Sequence, residues 1–437
     1  MKKKTINLIF LMILLVNIVF PNYNLADNLT SNEDKKIASI KEEKEDIFKK
    51  LEAPNLLLAE TNSGRIIYER EANKRIYPAS ITKLLTAILV VENCELDETV
   101  TVSENAVMSV PSGYVNANLQ VGEEITVEDL LYVMLIPSAN DAANALAEHV
   151  GGSIESFSTM MNARAKELGC TESNFTNPSG LHQEEHYTTC KDIYLISKEA
   201  ISKDYIKKII QTTKYTLPKT NKYTGTDRIF TTTNYMKLKS LSKFYSDYCI
   251  GGKTGYTGEA KNCVVEFAGK DGIELVAVVM GESAKVKGQK FLDAKEMFEY
   301  VFKNYESKQV AKQNEKYETV TVNNGTKETK NLDVLYNNNV NILRKKNDKT
   351  EIEKDIEYTN LKAPIQKGDV VGKVTYKLDG EEFSSELIAG KDVEESKTLE
   401  KILKILIPIT IIYIIYSAKK SNKKYGNHGK NIKAKRK

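Results

Sequence analysis

Histidine is scarce in this chain, with four residues in 437. A Ser-His-Asp triad therefore has few candidates. Cysteine is nearly as sparse. Cys94, Cys170, Cys190, Cys249 and Cys263 form no CxxC pair and no Cys/His spacing of the metal-binding type. Their odd number leaves at least one thiol without an internal partner. Cys249 and Cys263 can face each other on adjacent strands, but buried thiols fit the pattern better. No internal repeat is evident. Acidic residues are missing between Lys419 and Lys437, where nine basic residues stand. That tail and a basic start produce the net charge of +4. The remainder is net acidic, so charge offers no case for nucleic-acid binding.

What is present begins with two apolar ends. Lys2, Lys3 and Lys4 precede the apolar run Ile6 to Phe20, and small Ala26 can end a cleavage site. Residues 1–26 read as a secretory signal peptide, with a retained N-terminal anchor as the alternative. Ile405 to Ala418 carries no charge, and Leu399, Ile402 and Leu403 can extend it. The run is short against the ~20 residues of a membrane helix. Basic residues after it favour a cytoplasmic tail. Residues 394–418 read as linker and membrane anchor helix, and 419–437 as a basic cytoplasmic tail. An interfacial helix is the alternative.

Between these ends, 437 residues leave room for two domains with proper cores. Residues 27–52 are a polar lead-in. Asn55 to Glu60 and Arg65 to Glu69 read as strands around Asn62-Ser63-Gly64. Ile81 to Val91 is a helix entered through Pro78-Ala79-Ser80. A capping-box-like Thr126-Val127-Glu128-Asp129 opens a second helix that runs to Ile136, where Pro137 stops it. Another starts near Asp141 and ends at Gly151-Gly152. Ile250 to Gly255, Asn262 to Gly269 and Ile273 to Met280 read as strands, with a tight hairpin turn at Asp271-Gly272. Gln289 to Asn304 is an amphipathic helix. Residues 53–306 thus read as α+β, an antiparallel sheet built from both ends with helices between. Residues 307–393 carry short strand-like runs, Glu318–Val322, Val334–Tyr336, Val370–Leu378 and Phe383–Ile388, and read as a small all-β domain.

Three clusters carry chemistry: Ser80-Ile81-Thr82-Lys83, Ser138-Ala139-Asn140 and Lys253-Thr254-Gly255. Each supplies one part of a serine acyl-transfer site. Ser80 starts a helix, where the N–H groups and dipole favour negative charge. Lys83 lies one turn on, on the same face. Its amine activates a serine only if burial and a neighbouring cation such as Lys253 lower its pKa. The run Leu84 to Ile88 looks buried, which favours that. Ser138 and Asn140 fall in a break between helices, where side chains can point into a cleft. Ser138 can carry a proton to a leaving amine, and Asn140 can bind a substrate amide or hold Lys83. The bland alternative is that one of them only caps the next helix. Lys253 and Thr254 end a strand that can pair with an extended peptide and grip a terminal carboxylate. Gly255 permits close backbone approach. The Tyr256 N–H can join that of Ser80 as an oxyanion hole.

With these motifs in place, the chain resembles the low-molecular-mass penicillin-binding proteins that are serine-type D-alanyl-D-alanine carboxypeptidases. Tyr77-Pro78-Ala79-Ser80-Ile81-Thr82-Lys83 and Pro137-Ser138-Ala139-Asn140-Asp141-Ala142-Ala143 are similar to the family's nucleophile and relay segments. Thr176 to Leu181, His186 to Thr189 and Gly251 to Thr257 are similar to further family segments. The resemblance spans roughly Ala53 to Asp392. It implies a penicillin-recognising transpeptidase-like fold, a β-rich second domain and a membrane anchor. It implies Ser80 as acylated nucleophile, Lys83 as base, Ser138 and Asn140 as relay and positioner, and Lys253 with Thr254 as carboxylate binders. The implied substrate is a peptidoglycan stem peptide ending in D-Ala-D-Ala, and β-lactams are implied as covalent inhibitors. No metal or organic cofactor is implied. Two positions depart from the family pattern: Tyr256, where many relatives have His, and Lys290, where Arg is expected.

Two rivals remain. A class A β-lactamase needs a Glu to activate the deacylating water. Glu172 lies at a suitable distance along the chain, but Glu172-Ser173-Asn174-Phe175-Thr176 lacks the Asn expected at its end. A non-catalytic wall-binding protein would not need all of the polar site residues that are present.

Overall fold

The computed structural model describes residues 48–433 apart from 284, 285, 360 and 397. The leader of residues 1–26 and most of the lead-in therefore lie outside the described residues. The chain divides into two compact units between Asn304 and Tyr305.

In the first unit, β1 (Asn55–Glu60) and β2 (Ile66–Arg70) form the opening hairpin. A 3-10 turn over Ala79–Thr82 runs directly into helix α1 (Lys83–Asn93), so Ser80 and Lys83 stand on consecutive turns of one rod. Every residue of α1 from Lys83 to Val90 is buried. A helix apolar on all sides belongs at the centre of its layer, and α1 sits there. Short elements follow: β3 (Thr99–Thr101), α2 (Glu104–Met108) and β4 (Glu124–Thr126), with β3 paired to β4. Helix α3 (Val127–Leu135) is capped by the Thr126 hydroxyl, which accepts from the Asp129 N–H, as the capping-box pattern predicts. Helix α4 (Asn140–Gly151) ends on Gly152 in the left-handed region, φ 76°. Helices α5 (Ile154–Glu167), α6 (Cys190–Ser202) and α7 (Asp204–Gln211) complete the helical layer, followed by the hairpin β5 (Lys214–Leu217) and β6 (Arg228–Thr231).

Strands β7 (Cys249–Thr257), β8 (Lys261–Lys270) and β9 (Ile273–Glu282) return to the first hairpin. The antiparallel sheet has the order β2-β1-β9-β8-β7, which leaves β7 last in the row. Asp271 and Gly272 both take positive φ (50° and 77°), as a tight hairpin between twisted strands requires. Helix α8 (Gln289–Asn304) closes the unit and buries Phe291, Met297, Phe298 and Val301. The folded body starts before Pro54: Phe48 and Leu51 are buried, and the Phe48 ring lies 4.3 Å from that of Tyr68. All five cysteines are free thiols, four of them buried. Cys249 pairs in register with Ala268, and Cys263 with Gly255, so these two do not face each other.

The second unit is a β-domain. Strands β10 (Tyr305–Ala311), β11 (Lys316–Thr321), β12 (Asn331–Tyr336), β13 (Val340–Lys345), β14 (Glu353–Tyr358), β15 (Val370–Leu378) and β16 (Glu381–Ala389) form a β10-β13 pair and a five-stranded sheet, β11-β12-β16-β15-β14. Leu332, Val334, Ile342, Val371, Val374 and Leu387 lie in its core. Helix α9 (Thr398–Lys433) follows and contains Pro408. Within it, Ile402–Lys420 is a 19-residue span apolar enough to cross a membrane. At 1.5 Å per residue it measures about 28 Å, close to the hydrocarbon thickness of a bilayer.

Candidate active site

The three clusters, spread along the sequence from Ser80 to Gly255, meet at the start of α1. Lys83 is fully buried, and its Nζ has three oxygen neighbours: Ser80 Oγ at 2.9 Å, Asn140 Oδ1 at 2.7 Å and the Ser179 carbonyl oxygen at 2.6 Å. Burial lowers the Lys83 pKa well below the ordinary lysine value. The nearby Lys253 charge lowers it further, and Asp141 opposes the shift. A neutral amine has two N–H bonds and one lone pair. The Asn140 and Ser179 oxygens can only accept, so they take the two N–H bonds. The lone pair is left for the Ser80 hydroxyl.

The capping alternative does not hold, because α4, whose first residue is Asn140, has no side-chain cap. Asn140 instead spends its carbonyl oxygen on Lys83. Ser138 takes φ 76°, a conformation costly for a residue with a Cβ, in the break between α3 and α4. Its Oγ accepts from Lys253 Nζ at 2.8 Å. Lys253 also donates to the Thr254 carbonyl at 2.9 Å. Burial lowers its pKa to about 7, with Lys290 as a second cause. Thr254 Oγ1 lies 2.6 Å from Thr233 Oγ1. Gly255 passes so close to the Ser80 turn that a Cβ on it would sit 3.0 Å from Ser80 N and from Ala79 Cβ. Only glycine allows that approach without displacing the turn. The Tyr256 side chain is exposed beyond it.

Several contributors escape the three clusters. The turn Asn177 to Leu181 delivers the Ser179 carbonyl. Asn177 Oδ1 accepts from the N–H groups of Ser179 and Gly180, and Thr86 Oγ1 donates to the Pro178 carbonyl. Gly180, at φ 82°, lies against Ala79, and a Cβ there would fall 1.8 Å from the Ala79 carbonyl oxygen. His186 braces the same turn. Thr176 N–H donates to its Nδ1 at 3.1 Å, which puts the ring proton on Nε2, 2.9 Å from Thr82 Oγ1. Burial depresses the His186 pKa to about 3, so the ring is neutral near pH 7. Lys290, where the family pattern predicts Arg, is largely buried and donates to the Gly255 carbonyl at 3.4 Å. The motif at Thr176–Leu181 was visible in the sequence, but its role is carried by a backbone carbonyl, which no side-chain pattern reveals.

Glu172 is engaged elsewhere. It is exposed and accepts two hydrogen bonds from the Arg75 guanidinium, at 2.8 and 3.0 Å.

A family model described as D-alanyl-D-alanine carboxypeptidase matches residues 39–284. A model described as the C-terminal domain of penicillin-binding protein 5 matches residues 305–395. The D-alanyl-D-alanine carboxypeptidase DacF of Bacillus subtilis is 34% identical over 348 residues, covering 78% of this chain and 85% of that one. DacC of Escherichia coli, of the same description, is 29% identical and covers 79% of this chain and 86% of its own. Among solved structures, penicillin binding protein 5 from Haemophilus influenzae superposes with a TM-score of 0.66 at 27% identity, covering 79% of this chain and 98% of that one. These matches define a serine-type peptidase on the penicillin-recognising α+β fold, with an all-β second domain. The chain belongs to the D-alanyl-D-alanine carboxypeptidase family.

Proposed function

We propose that this chain removes the terminal D-alanine from peptidoglycan stem peptides ending in D-Ala-D-Ala, through an acyl-enzyme on Ser80. The supporting observation is the Lys83 amine, buried and within hydrogen-bond distance of Ser80 Oγ, Asn140 Oδ1 and the Ser179 carbonyl oxygen. Ser80 Oγ attacks the carbonyl carbon of the penultimate D-Ala while its proton passes to Lys83. The oxyanion lies between the N–H groups of Ser80 and Tyr256. Ser138, hydrogen-bonded to Lys253, hands a proton to the leaving nitrogen, and D-alanine departs. Water then attacks the ester carbonyl, Ser80 Oγ regains a proton, and the shortened peptide leaves. Lys253 and Thr254 hold the substrate's terminal carboxylate, which places the scissile bond over Ser80.

A β-lactam presents a strained amide and a carboxylate in the same relation, so it acylates Ser80. Its ring nitrogen stays tethered to the acyl group and hinders the approach of water. A β-lactamase would need a carboxylate poised to activate that water, and Glu172 is committed to Arg75. In this reading the chain is exported, the apolar span of α9 anchors it to the plasma membrane, and the catalytic unit works on the outer face. The test compares full-length protein in detergent with its Ser80→Ala variant. The wild type is expected to release D-alanine from a D-Ala-D-Ala peptide and to take up labelled penicillin; the variant should do neither. A wild type that does neither overturns the proposal.

A further inference from the structure

Away from the site, three side chains of metal-binding type converge on one point: Cys94, Glu98 and His149. Cys94 terminates α1, Glu98 ends the turn that leads into β3, and His149 lies in the last turn of α4. One ligand atom from each lies within 4.8 Å of the other two. Four ligand atoms around zinc at its usual bond lengths stand about 3.3–3.8 Å apart. The three atoms thus need to close by only about an ångström to share an ion. One pair, His149 Nε2 and Glu98 Oε2, stands at 2.9 Å and has to open by a few tenths of an ångström to reach the ligand spacing of a zinc site.

The arrangement is held from behind. The Glu95 N–H donates to Glu98 Oε1 at 2.6 Å, which leaves Oε2 for His149. The turn itself is pinned to the start of α3: Val127 N–H donates to the Glu98 carbonyl and Glu128 N–H to that of Leu96, both at 2.9 Å. Such outer hydrogen bonds orient metal ligands and tune their basicity. Cys94 is also the one cysteine in this chain that is not buried. A thiolate, a carboxylate and a neutral imidazole together carry two negative charges, matching a divalent cation. The sulfur and nitrogen donors favour zinc-class ions over magnesium or calcium.

We infer that Cys94, Glu98 and His149 form a site for one zinc-class divalent cation, with solvent completing the tetrahedron. On binding, the Cys94 thiol gives up its proton to solvent and a sulfur–metal bond forms; His149 releases the Nε2 proton that it donates to Glu98 and keeps or takes one on Nδ1, so that the His149–Glu98 hydrogen bond is replaced by two bonds to the ion. The ion ties the C-terminal ends of α1 and α4 together. The N-terminal ends of the same two helices carry Lys83 and Asn140, about 16 Å away along α1. The site therefore braces the helical layer and takes no part in the acyl transfer.

Cobalt(II) tests this directly, because a cobalt–thiolate bond gives a near-ultraviolet charge-transfer band that carboxylate and imidazole ligands do not. The full-length protein, without a polyhistidine tag, is titrated with cobalt chloride and then with zinc chloride. The expected result is a band that saturates at one equivalent, disappears as zinc displaces cobalt, and is absent from Cys94→Ser. His149→Gln should weaken cobalt binding by more than about a hundredfold, beyond the 10–100-fold cost of losing an outer-shell partner. Penicillin uptake by Cys94→Ser should match wild type, which shows that the variant is folded. A wild type without the band, or a band that survives in Cys94→Ser, overturns the proposal. Either result leaves the Ser80 chemistry untouched.

Discussion

The Lys83 amine and the Ser179 carbonyl oxygen lie 2.6 Å apart, though 96 residues separate them in the chain. That contact ties the Lys83 amine to a turn that lies outside the three sequence clusters. With Asn140 it consumes both N–H bonds of the neutral amine. Replacing Lys83 by Met keeps the length and removes the amine, the base of the proposed mechanism. Acylation by a fluorescent penicillin, followed by stopped flow, should fall about 10²–10⁴-fold, the usual worth of general base catalysis. A fall of less than tenfold would mean that another group takes the Ser80 proton.

Lys253 sets an expectation for pH. Its pKa is depressed to about 7 by burial and by Lys290. In the proposed mechanism this cation attracts the substrate carboxylate, and the free enzyme loses it above that pH. The second-order acylation constant for a β-lactam should therefore decline as pH rises through about 7. In Lys253→Arg the guanidinium keeps its charge throughout, so that decline should vanish, whatever the absolute rate. A pH profile of the two proteins checks this.

Gly180 is the position where one added methyl should do most harm. Its φ of 82° and the 1.8 Å approach of a Cβ to the Ala79 carbonyl both forbid alanine. Gly180→Ala should destabilise the catalytic unit by about 2–4 kcal/mol. Movement of the turn would also carry the Ser179 carbonyl away from Lys83. Thermal unfolding and penicillin uptake should both drop. Gly152→Ala gives a control, since no atom lies within 4 Å of its Cβ position although its φ is also positive.

Glu266 is fully buried opposite Gly252, and its Oε2 accepts from Asn234 Nδ2 at 2.7 Å. Burial raises its pKa to about 8. In the unfolded chain the carboxyl ionises near its ordinary value, while the folded protein keeps it protonated. The folded state thus binds the extra proton, and stability falls as pH rises from about 4.5 to 8. The slope is about 1.4 kcal/mol per pH unit for one such group. Glu266→Gln preserves an acceptor for Asn234 and removes the titration. It should unfold at a higher temperature than wild type at pH 8, with the gap closing at pH 4.5. Equal melting temperatures at pH 8 would show that the carboxyl ionises in place.

Much of this architecture was legible in the residues because strong local signals agreed with the tertiary outcome. Gln289 to Asn304 has a helical apolar stripe and forms a helix over those residues. Val370 to Leu378 alternates and forms β15 over the predicted range. Strand β14, by contrast, reads Glu-Lys-Asp-Ile-Glu-Tyr and is almost wholly exposed, so it shows no apolar alternation; its partner β15 holds it in the sheet. Strand β10 follows α8 without a break signal, and β13 is short and basic at its end. At the site, the motif side chains could be named because their spacing is local. Thr233, Glu266 and the Ser179 carbonyl act across long stretches of sequence or through backbone, where spacing carries no information. The 3-10 start of α1 and the positive φ of Ser138 were likewise invisible, since neighbouring packing imposes them.

The most direct measurement is mass spectrometry of the protein after incubation with penicillin, followed by proteolysis and peptide sequencing. A nucleophile at Ser80 predicts one penicilloyl group per chain, carried on the peptide that contains Ser80 and lost in Ser80→Ala. An adduct on any other residue, or no adduct from a folded protein, would contradict the account.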